Sequence, residues 1–398
     1  MISDLADTEQ VENILVFISD SLRYDELPHR IKTRSLWGKA IAASTFTGSG
    51  YPSILTGKYP NNHRVWKLTG TLSEKPPLLR IYPGSGIDAT HVWSPVSDPA
   101  NKPPLRMCHE TNDTLLSDVN SPFALVVHDR GGHMLYGEHD QYGWDSHSEF
   151  FADLSKQPDR IKELYREGVA ESVDRLFEMC EELNSRGQFK NTLIILTSDH
   201  GELLGEYGGL YDHGSPIVPE LVSVPMAFLG AGLPADKELE PLLSTTDIVP
   251  TAFSALDEPL PSSVDGSDLW DGRQEKIESR VLRSEMWKDP DYPIMSYKAS
   301  SAWTRNGGVV RHLNSMHSRL AYLLAYEYYY APYANIVRRL SSQTKDHWKT
   351  YLNKENVYGD PAREVFDKVS WEFQTERQPD DVSKGPNKEQ LRDLGYLE

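Results

Sequence analysis

Three short apolar segments that each end in an aspartate are the feature that most constrains the fold of this chain. They occupy residues 13–20, 122–129 and 192–199, and a less regular segment with an internal proline spans residues 224–230. Continuous apolar runs of this length are typical of strands buried on both faces of a parallel sheet. Residues 159–186 carry apolar side chains at helical spacing and stop before a glycine. Strands that alternate with helices predict an α/β domain with a central, mostly parallel sheet.

The pattern changes after residue 275. Residues 279–285 and 293–311 have the alternation of short strands, with a turn at Asn306-Gly307. We therefore expect a main α/β domain at residues 1–275 and a smaller C-terminal α+β subdomain with a surface tail at residues 276–398, packed on the main domain. A helical segment of this subdomain is rich in tyrosine. Its tyrosines are expected to pack against the main domain with their hydroxyls on polar partners, and a carbohydrate-binding patch is the alternative. They are Tyr322, Tyr326, Tyr328, Tyr329, Tyr330 and Tyr333.

Composition excludes some classes of protein. The formal net charge of −18 over 398 residues argues against a nucleic acid duplex as partner, because phosphate backbones are bound through lysine and arginine. No apolar run has the length of a membrane span. The acidic start, residues 1–7, lacks the basic-then-apolar order of a secretion signal, so we expect a cytoplasmic protein. Cys108 and Cys180 are too far apart for a short metal motif, and Cys180 is expected to be a buried thiol in a helix.

Side chains that can bind a metal follow all three predicted strands. They are Asp20, Asp129, His133, Asp199, His200 and, in a later glycine-rich loop, His213. Because ligands of open α/β sheets bind at the carboxyl ends of the strands, we expect these side chains to converge. A mixture of carboxylate and imidazole suits zinc or manganese better than calcium. The set is large enough for two divalent metal sites.

A hydroxyl-rich segment at residues 44–57 supplies candidate nucleophiles. It follows a predicted strand at residues 38–43 and opens a predicted helix. On chemistry alone, Ser44, Thr47 and Ser49 are all candidates, although a hydroxyl at a helix N-terminus is ordinarily a cap. The same geometry directs backbone N–H groups at an anion, which suits a phosphate or a sulfate. A hydroxyl beside a metal also loses its proton more easily.

Several of these segments resemble the sulfatases and the wider alkaline phosphatase superfamily. Residues 18–25 resemble the first metal-binding strand end of that family, and residues 53–63 resemble the Leu-Thr-Gly-Arg/Lys-Tyr-Pro block that follows its nucleophile. Residues 197–202 resemble the second metal block, while residues 247–251 and 391–398 are also similar to sulfatase segments. The resemblance implies an alkaline-phosphatase-like sandwich and a metal-dependent hydrolase of phosphate or sulfate esters.

In the register of that family the nucleophile falls on Thr47, and the resemblance implies a covalent intermediate there. True sulfatases carry at this position a cysteine or serine that becomes formylglycine, whereas a threonine resembles the phosphodiesterase and phosphonoacetate hydrolase branches. The implied ligands are Asp20, Thr47, Asp199 and His200 for one metal, and Asp129, His133 and His213 for a second. His213 comes sooner after His200 than in those branches, so its alternative role is a catalytic contact with the substrate. Ser21 replaces the second aspartate of the sulfatase pair, which argues against the usual calcium site.

The substrate predicted first is a phosphate mono- or diester, either a small molecule or one linked to a glycan or lipid, because threonine occupies the nucleophile position. Hydrolysis of sulfuric esters is the second enzymatic interpretation, supported by the sulfatase-like C-terminal segments. A catalytically silent relative that binds sugar or lipid is the third. The complete set of ligands weighs against that third interpretation, since a silent site would be free to lose some of them.

Overall fold

The central element of the molecule is one large twisted sheet. The computed structural model describes residues 1–8, 10–92, 99–136, 147–154, 157–288, 293–334, 342–362, 366 and 369–373. The strands up to residue 244 are, in chain order, β1 (Asn13–Ser19), β2 (Leu36–Ile41), β3 (Gly86–Asp88), β4 (Ala124–Asp129), β5 (Thr192–Thr197), β6 (Leu203–Gly205), β7 (Leu210–Asp212), β8 (Ser223–Gly230), β9 (Lys237–Glu238) and β10 (Leu243–Ser244). Among the described residues, the central sheet has eight strands in the order β10-β2-β8-β5-β1-β4-β3, with β9 beside β2. β6 and β7 pair separately as a hairpin.

The three aspartate-ended segments form the middle of this sheet. β5, β1 and β4 are neighbours and parallel, so their carboxyl ends meet at one edge. Every residue of these three strands is buried, which explains their continuous apolar character. The segment at residues 224–230 lies in β8, which runs antiparallel to both β2 and β5. The prediction of a mostly parallel α/β sheet is therefore confirmed.

Helices cover both faces of the sheet. The longer ones in this part of the chain are α1 (Thr47–Thr56), α2 (His147–Leu154), α3 (Pro158–Ser185) and α4 (Ile248–Ala255). Shorter helical turns lie at His29–Lys32, Pro60–His63, Pro103–Met107, Glu206–Gly209, Pro219–Val222 and Gln274–Glu278. Helix α3 matches the predicted helix at residues 159–186 and contains the buried Cys180.

Alternation along β1 assigns its side chains to two separate cores. Val16 and Ile18 pack in the core that contains α1 and α4, whereas Leu15 and Phe17 pack in the core that contains α2 and α3. Among the described helices, none is both long and apolar enough to cross a membrane.

The C-terminal subdomain is an antiparallel sheet with helices beside it. Its described strands are β11 (Leu282–Lys288), β12 (Tyr297–Thr304), β13 (Gly307–His312) and β14 (Glu355–Gly359), in that order, and its helices are α5 (Met316–Ala334) and α6 (Ser342–Leu352). The predicted turn joins β12 to β13, and Gly307 has the positive φ of 144° that this connection requires. The predicted α+β character is confirmed, while the boundary at residue 275 stays a prediction.

The tyrosine-rich helix contacts the main domain through Tyr322. This side chain is buried, and its hydroxyl lies 2.9 Å from Ser215 Oγ of the main domain. That contact is the kind predicted for the segment. The side chains of the other five tyrosines and the predicted tail from residue 374 lie outside the described residues.

Candidate active site

Two buried carboxylates and a histidine meet where β1 and β5 end. Asp20 follows β1, Asp199 and His200 follow β5, and all three are fully or almost fully buried. His200 Nε2 lies 3.6 Å from Asp20 Oδ1 and 3.5 Å from Asp199 Oδ2. The predicted convergence at the carboxyl edge of the sheet therefore holds for these three side chains.

Thr47 reaches this group from the first turn of α1. Its Oγ1 lies 3.0 Å from His200 Nε2. The Nδ1–H of His200 donates to the Gly201 carbonyl at 2.9 Å, so the Nε2 lone pair faces the threonine and the carboxylates. Gly50 permits the close approach of α1 to β5, because a Cβ at this position would lie 2.5 Å from the Asp199 carbonyl oxygen. Thr47 is thus the nucleophile candidate that lies against the predicted metal ligands.

The other two hydroxyl candidates are held in local hydrogen bonds. Ser44 Oγ and Ser49 Oγ lie 2.7 Å apart, Ser44 Oγ donates to the Glu285 carbonyl at 2.7 Å, and Ser49 Oγ lies 3.3 Å from the Phe46 carbonyl. These contacts tie the nucleophile segment to itself and to β11.

His128 also faces the carboxylates and was not predicted from the sequence. Its Nε2 lies 3.5 Å from Asp20 Oδ2 and 3.9 Å from Asp199 Oδ2, and the side chain is buried. Within the described part of the chain, neither ring nitrogen of His128 has a hydrogen-bond partner, and neither does Asp199 Oδ2. Two of these atoms, His128 Nε2 and Asp199 Oδ2, lie 3.9 Å apart, and a cation between them would satisfy both.

Asp129, predicted as a metal ligand, lies on the opposite face of β4. Both of its carboxylate oxygens accept hydrogen bonds from Arg175 of α3, at 2.5 and 2.8 Å, and Oδ1 also accepts the Gly131 N–H at 3.0 Å. Successive residues of a strand point to opposite faces, so His128 and Asp129 cannot both face the site. We therefore correct the predicted role of Asp129: its charge is neutralised by an ion pair in the core.

His133 and His213, the other two predicted ligands of the second metal, do lie at the site. The His213 ring stacks on the His200 ring with centroids 4.2 Å apart, and the His133 ring lies 4.9 Å from that of His213. His133 Nδ1 hydrogen-bonds the Met134 carbonyl, and burial lowers the pKa of His133 to about 4. His133 is therefore a neutral imidazole next to His213.

Two carboxylates contact the Nδ1 atom of His213. Its Nδ1 lies 3.2 Å from Glu202 Oε2 and 2.9 Å from Asp212 Oδ1, and the Tyr136 hydroxyl donates to Glu202 Oε1 at 3.0 Å. Burial alone lowers the pKa of His213, but the charges of Asp212 and Glu202 outweigh burial and hold that pKa well above its usual value. Burial raises the pKa of Glu202 to about 7. Because these polar atoms are paired with one another, they form a hydrogen-bonded acid–base group.

The first group fits one divalent metal ion. Asp20, Asp199 and His200 can each present a ligand atom to a common point, with His128 and the Thr47 hydroxyl beside them. Burial and the neighbouring Asp20 carboxylate raise the pKa of Asp199, a repulsion that a cation would relieve. Two carboxylates with imidazoles are the donor set expected for zinc or manganese. The second metal site predicted from the sequence lacks Asp129, which is paired with Arg175, but Glu202 and Asp212 offer carboxylate oxygens within 4.8 Å of a His213 nitrogen and form a second group that could hold a metal ion.

Sequence reasoning missed three residues of this region. For His128 a signal existed, because the alternation of β4 offers either His128 or Asp129 to the site. Glu202 lies within the recognised block at residues 197–202 but was given no role. Arg175 carries no local signal, since only the packing of α3 on the sheet brings it to Asp129.

Comparison with known proteins gives likenesses in sequence and in fold. A family model described as sulfatase matches residues 12–258. The low-salt glycan biosynthesis sulfotransferase Agl7 of Haloferax volcanii is 34% identical over 418 aligned residues, covering 100% of this chain and 99% of the relative. Arylsulfatase K of Canis lupus familiaris is 30% identical over 114 residues, covering 29% of this chain and 21% of that protein.

Solved structures share the fold. The phosphonate monoester hydrolase of Silicibacter pomeroyi superposes with a TM-score of 0.55 at 16% identity, covering 76% of this chain and 87% of that chain. The 2-O GAG sulfatase BT1596 superposes with a TM-score of 0.56 at 15% identity, covering 88% and 96%. Both likenesses cover more than three quarters of this chain.

Proposed function

Because the chain belongs to the sulfatase family of the alkaline phosphatase superfamily, we propose that it cleaves a sulfate ester of a glycan with Thr47 as nucleophile. Family membership confirms the broader prediction, an enzyme that hydrolyses ester bonds. The observation that carries the proposal is the position of Thr47 Oγ1, 3.0 Å from His200 Nε2 and next to the buried Asp20 and Asp199.

The charge of the site supports a sulfate ester over a phosphate ester in this proposal. The preference for phosphate assumed two cations, which neutralise the larger charge of a phosphoryl group better than one does. Because Asp129 is paired with Arg175, and Glu202 and Asp212 hold His213 through hydrogen bonds, the proposal assigns one cation to the site, and a singly charged sulfate ester suits it better. The relative that matches over its full length is named as a sulfotransferase of glycan biosynthesis, which supports a sulfated sugar as the substrate.

Each side chain of the site has a distinct role in this proposal. When bound between Asp20, Asp199 and His200, a divalent cation supplies charge neutralisation and favours the deprotonated form of the Thr47 hydroxyl. Glu202 and Asp212 fix His213 through its Nδ1 atom, so Nε2 is the nitrogen that can give a proton to the leaving oxygen.

The reaction proceeds in two displacements at sulfur. In the first, Thr47 Oγ forms a bond to sulfur while the bond from sulfur to the sugar oxygen breaks. The sugar oxygen takes a proton from His213, and the proton of the Thr47 hydroxyl goes to solvent. In the second, the oxygen of water replaces Thr47 at sulfur. One proton of that water returns to His213, the other leaves with the sulfate, and Thr47 takes up a proton from solvent.

Transfer to a sugar hydroxyl is the second candidate, favoured by the name of the full-length relative. A threonine sulfate ester holds the sulfuryl group until an acceptor attacks sulfur. If a sugar hydroxyl takes the place of water, the same intermediate gives sulfuryl transfer with no change in the site.

A panel of aryl esters tests the proposal. Metal-loaded protein is assayed with p-nitrophenyl sulfate, phosphate and bis-phosphate, with and without added neutral disaccharide. We expect turnover on sulfate that is lost in Thr47→Ala, and radiolabelled sulfur on Thr47 in a quenched reaction. Higher turnover on a phosphate ester would reject sulfate as the substrate. Product on the disaccharide would favour transfer, and no turnover on any ester by protein that holds its metal would favour the silent relative.

A further inference from the structure

The last residue of β11 brings a lysine from the C-terminal subdomain to the wall of the site. Lys288 Nζ lies 4.2 Å from the centroid of the Phe46 ring, and it would lie 3.8 Å from a Cβ atom placed on Gly214. Phe46 directly precedes Thr47, and Gly214 directly follows His213. The lysine is therefore next to both segments that carry the reacting groups.

Backbone hydrogen bonds hold these segments and β11 in fixed positions. Gly214 N–H donates to the Thr45 carbonyl at 2.7 Å, and the Thr45 hydroxyl donates to the Gly214 carbonyl at 2.7 Å. Glu285 N–H donates to the Ala43 carbonyl at 2.9 Å, which attaches β11 to the start of the nucleophile segment. The subdomain thus places Lys288 with little freedom of the backbone.

The charge of Lys288 is not neutralised by the described part of the chain. The protein carries 59 acidic residues against 41 basic ones, yet no carboxylate of a described residue lies within 4 Å of Lys288 Nζ. Lys288 Nζ and the His213 ring are both neighbours of Phe46, since the Phe46 and His213 centroids are 6.2 Å apart. An anionic group beside the ester at His213 would therefore be close to the Lys288 ammonium group.

We propose that Lys288 binds a second anionic group of the glycan, a uronate carboxylate or a further sulfate, beside the ester that is cleaved. The inference rests on the proposed function, because it names the class of sugar that the same site prefers. A cation–π contact stabilises the ammonium group but leaves its hydrogen-bonding capacity open, so an anion can bind without displacing Phe46. An exposed ion pair contributes up to about 1 kcal/mol, which corresponds to about a fivefold gain in affinity.

Lys298 provides a matched control in the same sheet. Its Nζ lies 4.2 Å from the Trp287 ring centroid, the same distance that Lys288 Nζ has to Phe46. Trp287 and Lys288 are successive residues of a strand and point to opposite faces, so the contact between Lys298 and Trp287 lies on the other face of β11. Replacing Lys298 removes its cation–π contacts with Trp287 and with Phe373, whose ring centroid lies 4.5 Å from Nζ, and leaves the neighbourhood of Phe46 unchanged.

The test measures binding in full-length, metal-loaded Thr47→Ala protein, which cannot consume the probes. Ligand-observed NMR titration gives the Kd of cellobiose monosulfate, cellobiose disulfate and monosulfated cellobiouronic acid. We expect the second anion to lower Kd by about fivefold. That gain disappears with Lys288→Gln, persists with Lys298→Gln and is restored by Lys288→Arg. Comparison of the disulfate with the uronate identifies which anion is preferred.

The outcomes separate this inference from the proposed function. An equal gain with and without the Lys288 ammonium group overturns the role of Lys288, as does the absence of any gain in the parent protein. Turnover of p-nitrophenyl sulfate by protein with Thr47 intact is a separate measurement. Its absence counts against the proposed function and leaves the binding result standing.

Discussion

Replacement of Arg175 tests whether Asp129 is a structural residue or a metal ligand. We expect Arg175→Met to lower the free energy of unfolding strongly and to leave the metal content unchanged. Asp129 is fully buried, and the guanidinium group donates two hydrogen bonds to it beside the one from the Gly131 N–H. Methionine keeps much of the apolar stem that packs against the sheet, so the loss comes mainly from the uncompensated carboxylate.

The expected loss of unfolding free energy follows from the burial of the Arg175–Asp129 ion pair. Removing one partner of a buried ion pair costs about 3–5 kcal/mol, because the other charge stays unpaired in the interior. The lower end applies here, since the Arg175 side chain is 19% exposed and the Gly131 N–H still binds Asp129. We therefore expect about 3 kcal/mol for Arg175→Met. Asp129→Asn keeps an acceptor oxygen, and its expected cost is about 1–2 kcal/mol.

Urea unfolding of the metal-loaded protein, combined with mass-spectrometric metal analysis, checks these values. In a double-mutant cycle, the combined variant should be destabilised by at least about 1 kcal/mol less than the sum of the single changes. The reasoning fails if Arg175→Met costs less than about 1 kcal/mol. It also fails if Asp129→Asn loses an equivalent of metal while its stability stays unchanged, a result that would restore the two-metal site.

Other predictions address the nucleophile, the metal and the response to acid. Thr47→Ala should abolish turnover and should lower the free energy of unfolding by less than about 1 kcal/mol, because Thr47 makes no capping hydrogen bond. Ser49→Ala should keep most activity. The reverse result would mean that Ser49 and not Thr47 is the nucleophile. Chelation should remove activity, and added zinc or manganese should restore it. His128→Asn should weaken metal binding by about 10-fold or more, as measured by competition with a chromogenic chelator. Burial lowers the pKa of His63 to about 3, and its Nδ1 accepts the Val65 N–H at 3.1 Å. The unfolded state therefore takes up the proton first, so stability falls from about pH 6.5 downwards by as much as about 4 kcal/mol near pH 3. His63→Gln should flatten this part of the curve of unfolding free energy against pH; an unchanged slope would contradict the assignment.

The sequence predicted the sheet well because its strongest signal is local. Apolar runs that end in Asp20, Asp129 and Asp199 identify three buried strands without knowledge of their neighbours. Their parallel, adjacent arrangement follows from the alternation with helices and brings the strand ends to one edge. Thr47 was placed by the register of a family block, and the structure brings it to His200.

What the sequence could not decide was which face of β4 belongs to the site. His128 and Asp129 are both polar, both end the same apolar run and differ by one position. The choice depends on which strand face is covered by α1 and which by α3, and this is a property of packing rather than of the run itself. The partner that neutralises Asp129 lies 46 residues later on a helix and gives no signal near the strand. The cytoplasmic location stays a prediction.

Two residues limit the negative charge of the site. Ser21 stands where sulfatases have a second aspartate, and His128 faces the two remaining carboxylates. Ser21 Oγ donates to Asp20 Oδ1 at 3.1 Å and lies 3.5 Å from His200 Nδ1, so it orients two ligands without adding a charge. His128 then presents an imidazole nitrogen where a further carboxylate would add another buried negative charge beside Asp20 and Asp199. Two carboxylates balance the charge of one divalent cation, and the remaining donors are nitrogens, which zinc and manganese accept and calcium disfavours. If one cation is bound, this balance leaves no excess positive charge for a doubly charged phosphoryl group, and this is the charge argument behind the proposed sulfate ester substrate.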